Sequence, residues 1–149
     1  MVIIEKALSG DFEQIIALAR PEQRSLIGAA LGRGRCVVAR VDGSVRGFLV
    51  ADDRFFGHTF IELLHVHPDF RRHGIATALM RAAELDAATE KLFTSTNQSN
   101  IPMQRLCEKI GFVRSGMVEN LDEGDPEVFF FKRLAPPSNP PDDDEMESE

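Results

Sequence analysis

The chain has 149 residues, 43% of them hydrophobic, which is the size of one domain and enough to bury a core without disulfides or metal. Its formal charge of -7 is concentrated at the end, where Asp142, Asp143, Asp144, Glu145, Glu147 and Glu149 supply six of the 24 acidic side chains and leave 18 acidic against 17 basic groups elsewhere. A body so close to neutral argues against general nucleic-acid binding, which needs a broad positive surface.

Residues 2–7 read as a short strand, with Val2-Ile3-Ile4 directly after Met1. No charged segment with a long apolar run stands there, and about 18 consecutive apolar residues occur nowhere, so the expectation is a cytoplasmic protein with no export signal and no membrane span. Asp11 offers an N-cap, with Gln14 three positions on, for a helix in which Phe12, Ile15, Ile16 and Ala19 recur at helical spacing. Pro21 restarts the helix, and Gly32 and Gly34 close the second segment after Leu31. Asp42-Gly43 tolerates the positive φ of a tight turn and predicts a hairpin between strands at 35–41 and 45–51. Gly57 marks the next turn, and a mostly apolar strand at 59–66 stops before Pro68, which has no amide to continue a ladder.

Gly74 opens an amphipathic helix in which Ile75, Leu79, Ala82 and Ala83 share a face, and a strand follows at 91–96. Asn100 and Pro102 mark a helix start and Gly111 its stop; strands at 112–118 and 128–132 then form a hairpin across the acidic loop 122–127. The succession β-α-α-β-β-β-α-β-α-β-β predicts an α/β (α+β) fold, one mixed sheet with helices on its faces. The stretch 135–149 joins four prolines to the acid run and is expected to be a disordered tail, which leaves residues 1–134 as the domain. Cys36 and Cys107 stand far apart with no CxxC pair, as reduced thiols would, and no metal is expected.

The segment that carries chemistry runs from Leu64-His65-Val66 through Arg71-Arg72-His73 to Gly74-Ile75-Ala76: a strand, a short basic loop, then a glycine-initiated helix. Free amides at a helix start, aided by its dipole, suit a diphosphate; Gly74 and Ala76 leave the main chain open, and Arg71 and Arg72 add charge. A solvated surface turn has the same local composition.

Arg71-x-x-Gly74-x-Ala76 resembles the acyl-CoA loop of the GNAT superfamily of N-acetyltransferases, where Arg or Gln, two residues, Gly, one residue and Gly or Ala follow one another. Leu64-x-Val66-x-Pro68 is similar to that family's strand ending. Downstream, Asn100-x-x-Met103-x-x-Leu106-Cys107-Glu108-Lys109-x-Gly111-Phe112 is similar to its pattern of Asn, a small or apolar residue, Leu-Tyr and Gly-Phe. Two motifs at this separation are far more specific than either alone. The resemblance covers residues 35–134 well and the first helices loosely, and the stretches 95–100 and 120–127 resemble a bacterial subgroup.

The resemblance implies a sheet of six to seven mostly antiparallel strands flanked by about four helices. It implies transfer of an acetyl group from acetyl-CoA, as co-substrate, to a primary amine of a small molecule or peptide by direct attack in a ternary complex. The pyrophosphate would sit on the amides of 72–76, and the pantetheine arm between strands 59–66 and 91–96 splayed apart. A bulge near 64–66 would free an amide for the thioester oxygen. The implied cofactor-binding positions are Leu64, His65, Val66, Arg71, Arg72, His73, Gly74, Ile75, Ala76, Thr77 and Asn100; Asn100, at an N-cap, can cap its helix, face the cofactor, or do both.

An amine attacks a thioester only when unprotonated, so a base is wanted. Glu62 alternates with Leu64 and Val66, is expected on their face, and is the candidate base, with an ion-paired or solvated strand residue as the other reading. His65 and His67 fall on the opposite face. The chain contains no tyrosine, and Cys107 stands where many members of the family carry the tyrosine that protonates the departing thiolate. It is the candidate acid, although Met103, Leu106, Cys107 and Ile110 also form the stripe of a core-facing helix. The missing tyrosine keeps open a catalytically weak CoA-binding sensor or interaction module. A different nucleotide-binding domain is disfavoured, because neither GxxxxGK followed by Ser or Thr nor GxGxxG occurs. The acidic loop is either a solvated turn or an attractant for a cationic amine. A homodimer through the last strands is left open, and neither nucleic acid nor membrane is an expected partner.

Overall fold

Strand β1 (Val2–Lys6) leads through a 3-10 turn into helix α1 (Phe12–Leu18), and α2 (Arg24–Gly32) follows Pro21. Then come β2 (Cys36–Val41), β3 (Ser44–Phe55), β4 (His58–Val66), α3 (Ile75–Asp86), β5 (Lys91–Asn97), α4 (Ile101–Lys109), β6 (Val113–Val118) and β7 (Glu127–Arg133). This computed structural model describes residues 1–134, and the tail expected at 135–149 lies outside the described residues. Among the described residues seven strands form one sheet in the order β1-β2-β3-β4-β5-β7-β6, antiparallel except between β4 and β5, a mixed α/β fold with four helices. Among the described residues no helix is long and apolar enough to cross a membrane.

Alternation along the strands divides the core between the two faces of the sheet. Leu49, Ile61, Leu92 and Phe130 pack under α3, where Ile75, Leu79 and Met80 meet them; Val38, Phe48 and Val50 pack on the other side against Ile15 of α1 and Ile27 of α2. Gly47 of β3 lets α3 lie close, since a Cβ there would stand 3.1 Å from Ile75 Cγ2 and 3.3 Å from Leu79 Cδ1. Helices α1 and α2 lie mainly over β2 and β3, and on their side the phenylalanines of β4, β5 and β7 remain half-buried.

Asp42 and Gly43 adopt φ of 51° and 82°, as the β2–β3 turn requires. The strand after them runs further than its sequence suggests. Asp52, Asp53 and Arg54 lie past the expected strand end at 51, yet Asp52 pairs with Arg54 at 3.1 Å and Asp53 with Arg35 at 2.9 Å, and β3 runs on to Phe55. A second two-residue turn, Phe56-Gly57 at φ 53° and 81°, then reverses the chain. Asp11 does not cap α1. Its carboxylate instead accepts two bonds from Arg40, Nη1 at 2.9 Å and Nη2 at 2.7 Å, and one from the Leu8 amide at 2.8 Å.

Candidate active site

Between β4 and α3 the chain makes a 3-10 turn at Pro68–Phe70, and then Arg72 and Gly74 take left-handed backbone at φ 67° and 77°. Gly74 is the N-cap of α3 and has no side chain with which to cap it. The first bond of the helix runs from the Ala78 amide to the Gly74 oxygen at 3.0 Å, so the amides of Ile75, Ala76 and Thr77 precede the intrahelical ladder at the positive end of the dipole. A Cβ built on Gly74 would meet nothing within 4 Å, so these amides open on free space. Arg71 and Arg72 stand exposed beside them, with Arg71 Nε donating to the Val66 oxygen at 3.3 Å. The arrangement suits a diphosphate.

Strands β4 and β5 pair over three residues only, Thr59 with Leu92, Phe60 with Phe93 and Ile61 with Thr94. Beyond them β4 stays with β3 while β5 follows β7, and the sheet opens. The His67 amide donates to the Arg46 oxygen at 2.7 Å on the β3 side; amide directions alternate along a strand, so those of Val66 and Leu64 point into the gap. A cleft of about 760 Å³ occupies the gap and is lined by Leu64, His65, Val66, Arg71, Arg72, Gly74, Ile75, Ala76, Thr77 and Asn100. Of the expected cofactor positions only His73 lies outside this lining, exposed to solvent. Asn100 both caps and lines: its Oδ1 accepts the Met103 amide at 3.2 Å. The His65 ring packs on Phe48 with centroids 5.2 Å apart, and its Nε2 lies 3.1 Å from Gln23 Oε1. Burial, then the charges of Arg20 and Arg71, hold His65 below the ordinary histidine value and keep it neutral.

Glu62 is the extra residue of a bulge. Val50 of β3 lies opposite Leu63 and Ala51 opposite Ile61, which leaves Glu62 without a partner. The bulge therefore sits at Glu62, not at the expected 64–66, and it breaks the alternation on which the placement of Glu62 beside Leu64 and Val66 rested. Leu64 and Val66 pack toward α3 and Leu63 toward α1 and α2, while Glu62 opens on the α1–α2 side with Phe60. There it borders a second pocket of about 550 Å³, shared with Asp52, Arg54, Phe55, Phe129 and Leu26. The two pockets approach the opening in the sheet from opposite faces.

Burial, then the hydrogen bond and charge of Asp52, raise the Glu62 carboxyl to about 7, against the weaker pull of Arg54 and Arg33. Burial alone would raise Asp52 too, but hydrogen bonds from Glu62 and from the Arg54 amide and guanidinium outweigh it and leave Asp52 below its ordinary value. The proton of the pair resides on Glu62. A carboxyl half ionised near neutrality is a suitable acceptor for an ammonium proton. Cys107 reaches neither pocket: it is fully buried against the sheet in the core under α3, and burial raises its thiol to about 12. Met103 and Leu106, on the same helix, turn to the cleft instead.

A sequence model described as the acetyltransferase (GNAT) family matches residues 5–112. The chain belongs to this family. A GNAT-family acetyltransferase from Bacillus cereus ATCC 10987 is 39% identical, over 91% of this chain and 99% of that one, with a TM-score of 0.86. The structure of Ard1 from Thermoplasma volcanium, 23% identical over 91% of this chain and 99% of that one, superposes with a TM-score of 0.81. The ribosomal-protein-S18-alanine N-acetyltransferase of Escherichia coli, at 17% identity over 93% of this chain and 98% of that one, gives 0.79. These last two share the fold. A comparison with curated proteins gives no match. Acetyl transfer is thus the general kind of reaction to which the fold and its site belong.

Within this GNAT fold, sequence reasoning missed Arg20, Phe70 and Lys109 in the cleft and Asp52, Arg54, Phe55 and Phe129 around Glu62. No local signal marks the first three. Asp52, Arg54 and Phe55 carried one, an acidic-basic run followed by phenylalanines just before the turn at Gly57; Phe129 did not. The acidic loop is tied down locally, with Asp122 accepting from Asn97 at 2.8 Å, Asp125 from the Ser99 hydroxyl at 2.6 Å and Glu127 from the Ser95 hydroxyl at 2.7 Å. None of these carboxylates lines either pocket.

Proposed function

We propose that the protein transfers an acetyl group from acetyl-CoA to a primary amine by direct attack in a ternary complex, in the cytoplasm. The observation that carries this reading is the opening between β4 and β5, which holds a cleft with uncapped helix amides, while Glu62, just past the last paired residue Ile61, borders a pocket on the other face. Bound acetyl-CoA would supply the activated acyl group. The residues fit it: the amides of Ile75, Ala76 and Thr77, with Arg71 and Arg72, hold the diphosphate, and Met103 and Leu106 offer apolar wall to the arm. The Leu64 and Val66 amides, aimed into the gap, are the donors available to the carbonyl oxygen as negative charge grows on it.

From the opposite face Glu62 takes one proton from the ammonium group. The freed nitrogen bonds to the acyl carbon, the C–S bond breaks with its electron pair going to sulfur, and the second nitrogen proton passes to the thiolate. Thiols of ordinary basicity, near 8.5, leave without strong acid assistance, so this step makes no demand on the buried Cys107.

The test is thiol release from acetyl-CoA in the presence of an amine panel, beside a thermal titration with acetyl-CoA and ATP. Stabilisation by acetyl-CoA in preference to ATP, with turnover on at least one amine, is expected. Stabilisation without turnover on any amine overturns the transfer reading in favour of a CoA-binding module.

A further inference from the structure

We propose that the acceptor is a monoamine whose amino group is joined by a short linker to an aromatic or bulky apolar body, seated with that body on Phe55, Phe60 and Phe129 and its nitrogen at Asp52 and Glu62. This inference rests on the transfer reading above and deepens it.

Apart from Asp52, Arg54 and Glu62, the walls of the Glu62 pocket are apolar. The Phe55 ring lies 4.7 Å from Phe60 and 5.7 Å from Phe129, centroid to centroid, and Phe60 lies 6.0 Å from Phe129. The cluster continues through Phe93, 5.1 Å from Phe55 and half-buried. None of these rings can donate or accept a conventional hydrogen bond, so they select by shape and apolar area. Leu26 of α2 closes the rim of the pocket while 37% exposed. At the turn beside them Phe56 stands 87% exposed at φ 53°, a backbone that disfavours a bulky side chain, with its ring edge-on to Phe55 at 5.1 Å.

Charge narrows the class further. The two carboxyls beside these rings give one place for a positive nitrogen, matched to an amine that arrives as its ammonium ion. Arg54, whose side chain is 71% exposed, borders the same pocket, and Arg33 lies near enough for its charge to act on Glu62. A second ammonium on the acceptor would meet those guanidinium groups, which disfavours polyamines and lysine-like side chains. The acidic loop stands apart from this pocket: none of Asp122, Glu123, Asp125 and Glu127 lines it.

The experiment compares 2-phenylethylamine, butylamine and spermidine with the full chain at saturating acetyl-CoA, following thiol release, and measures calorimetric binding of the same three amines to the CoA-loaded protein. The expected order is 2-phenylethylamine above butylamine by about tenfold or more in kcat/KM, with spermidine last. In Phe55→Ala and Phe60→Ala variants the advantage of the aryl amine should collapse through KM, while the thermal shift given by acetyl-CoA, read on the far face of the sheet, reports whether each variant is folded. Turnover that favours spermidine or butylamine overturns the inference and leaves acetyl transfer standing. Absence of turnover overturns acetyl transfer; the binding order then decides the inference by itself, since equal or weaker binding of the aryl amine refutes it.

Discussion

Asp52 of β3 lies opposite Phe60 of β4, and Glu62, two residues beyond Phe60 on the same face, shares a pocket with Asp52. Two acids so placed do not ionise independently: burial of Glu62, together with the bonds that Asp52 accepts from the Arg54 amide and guanidinium, leaves the proton on Glu62. Glu62 keeps it until the pH reaches about 7.

Activity should therefore rise with pH through a limb near 7, where Glu62 becomes the free carboxylate that accepts the ammonium proton. Glu62→Gln is expected to remove that limb and lower kcat/KM on the order of 10²-fold or more. A pH profile of thiol release for both proteins checks it; an unchanged limb takes Glu62 out of the reaction.

Asp52→Asn should move the limb to lower pH, since the charge and hydrogen bond that hold the proton on Glu62 are weakened. Stability carries the same signature. The folded chain binds the Glu62 proton more tightly than the ordinary value of 4.5, so Glu62 makes the unfolding free energy fall as pH rises from 4.5 through about 7, and adds no further slope above that. Melting temperatures across this window should decline less in Glu62→Gln than in the parent.

Gly74→Ala places a side chain on left-handed backbone at φ 77° and aims it into the space that the α3 amides face. A loss of about 1 kcal/mol in stability is expected, with a larger proportional loss of the thermal shift by acetyl-CoA. Gly32→Ala is the control: its Cβ also meets nothing within 4 Å but its backbone is helical, so it should be neutral or slightly stabilising.

Cys107→Ala should cost about 1 kcal/mol through the small cavity left in the core and reduce turnover by no more than about twofold. Chemical denaturation and steady-state kinetics on the same preparation separate the two effects. A loss of turnover far beyond the loss of stability would return the thiol to the chemistry.

Asp11→Ala removes the two bonds that Arg40, only 14% exposed, donates to Asp11 and leaves Glu5 as its remaining carboxylate. A destabilisation of about 1.5–3 kcal/mol is expected, read as a lower denaturant midpoint. Arg40 and the Leu8 amide hold the Asp11 carboxyl below its ordinary 3.8, so the pair's contribution is present above that value and fades as the pH falls below it.

The order of the elements was legible in the amino-acid sequence, because helical and alternating periods, Asp42-Gly43, Pro68 and Gly74 act through nearest neighbours and backbone sterics. So was the phosphate-suited helix start, since an uncapped glycine N-terminus behind Arg71-Arg72 is a local feature. Contacts between distant segments decided the rest. Glu62 became the extra residue of a bulge through pairing of β4 with β3, and that single insertion moved its side chain to the face opposite Leu64. Asp11 was claimed by Arg40 from 29 positions away instead of capping its own helix. Cys107 turned to the core because α4 packs with that side toward the sheet. The opening between β4 and β5 exists because each strand found its longer pairing elsewhere, one with β3 and the other with β7. Periodicity along a chain names the faces of an element, but which face meets which partner, and where a ladder stops, depends on packing that forms only once the whole sheet is assembled.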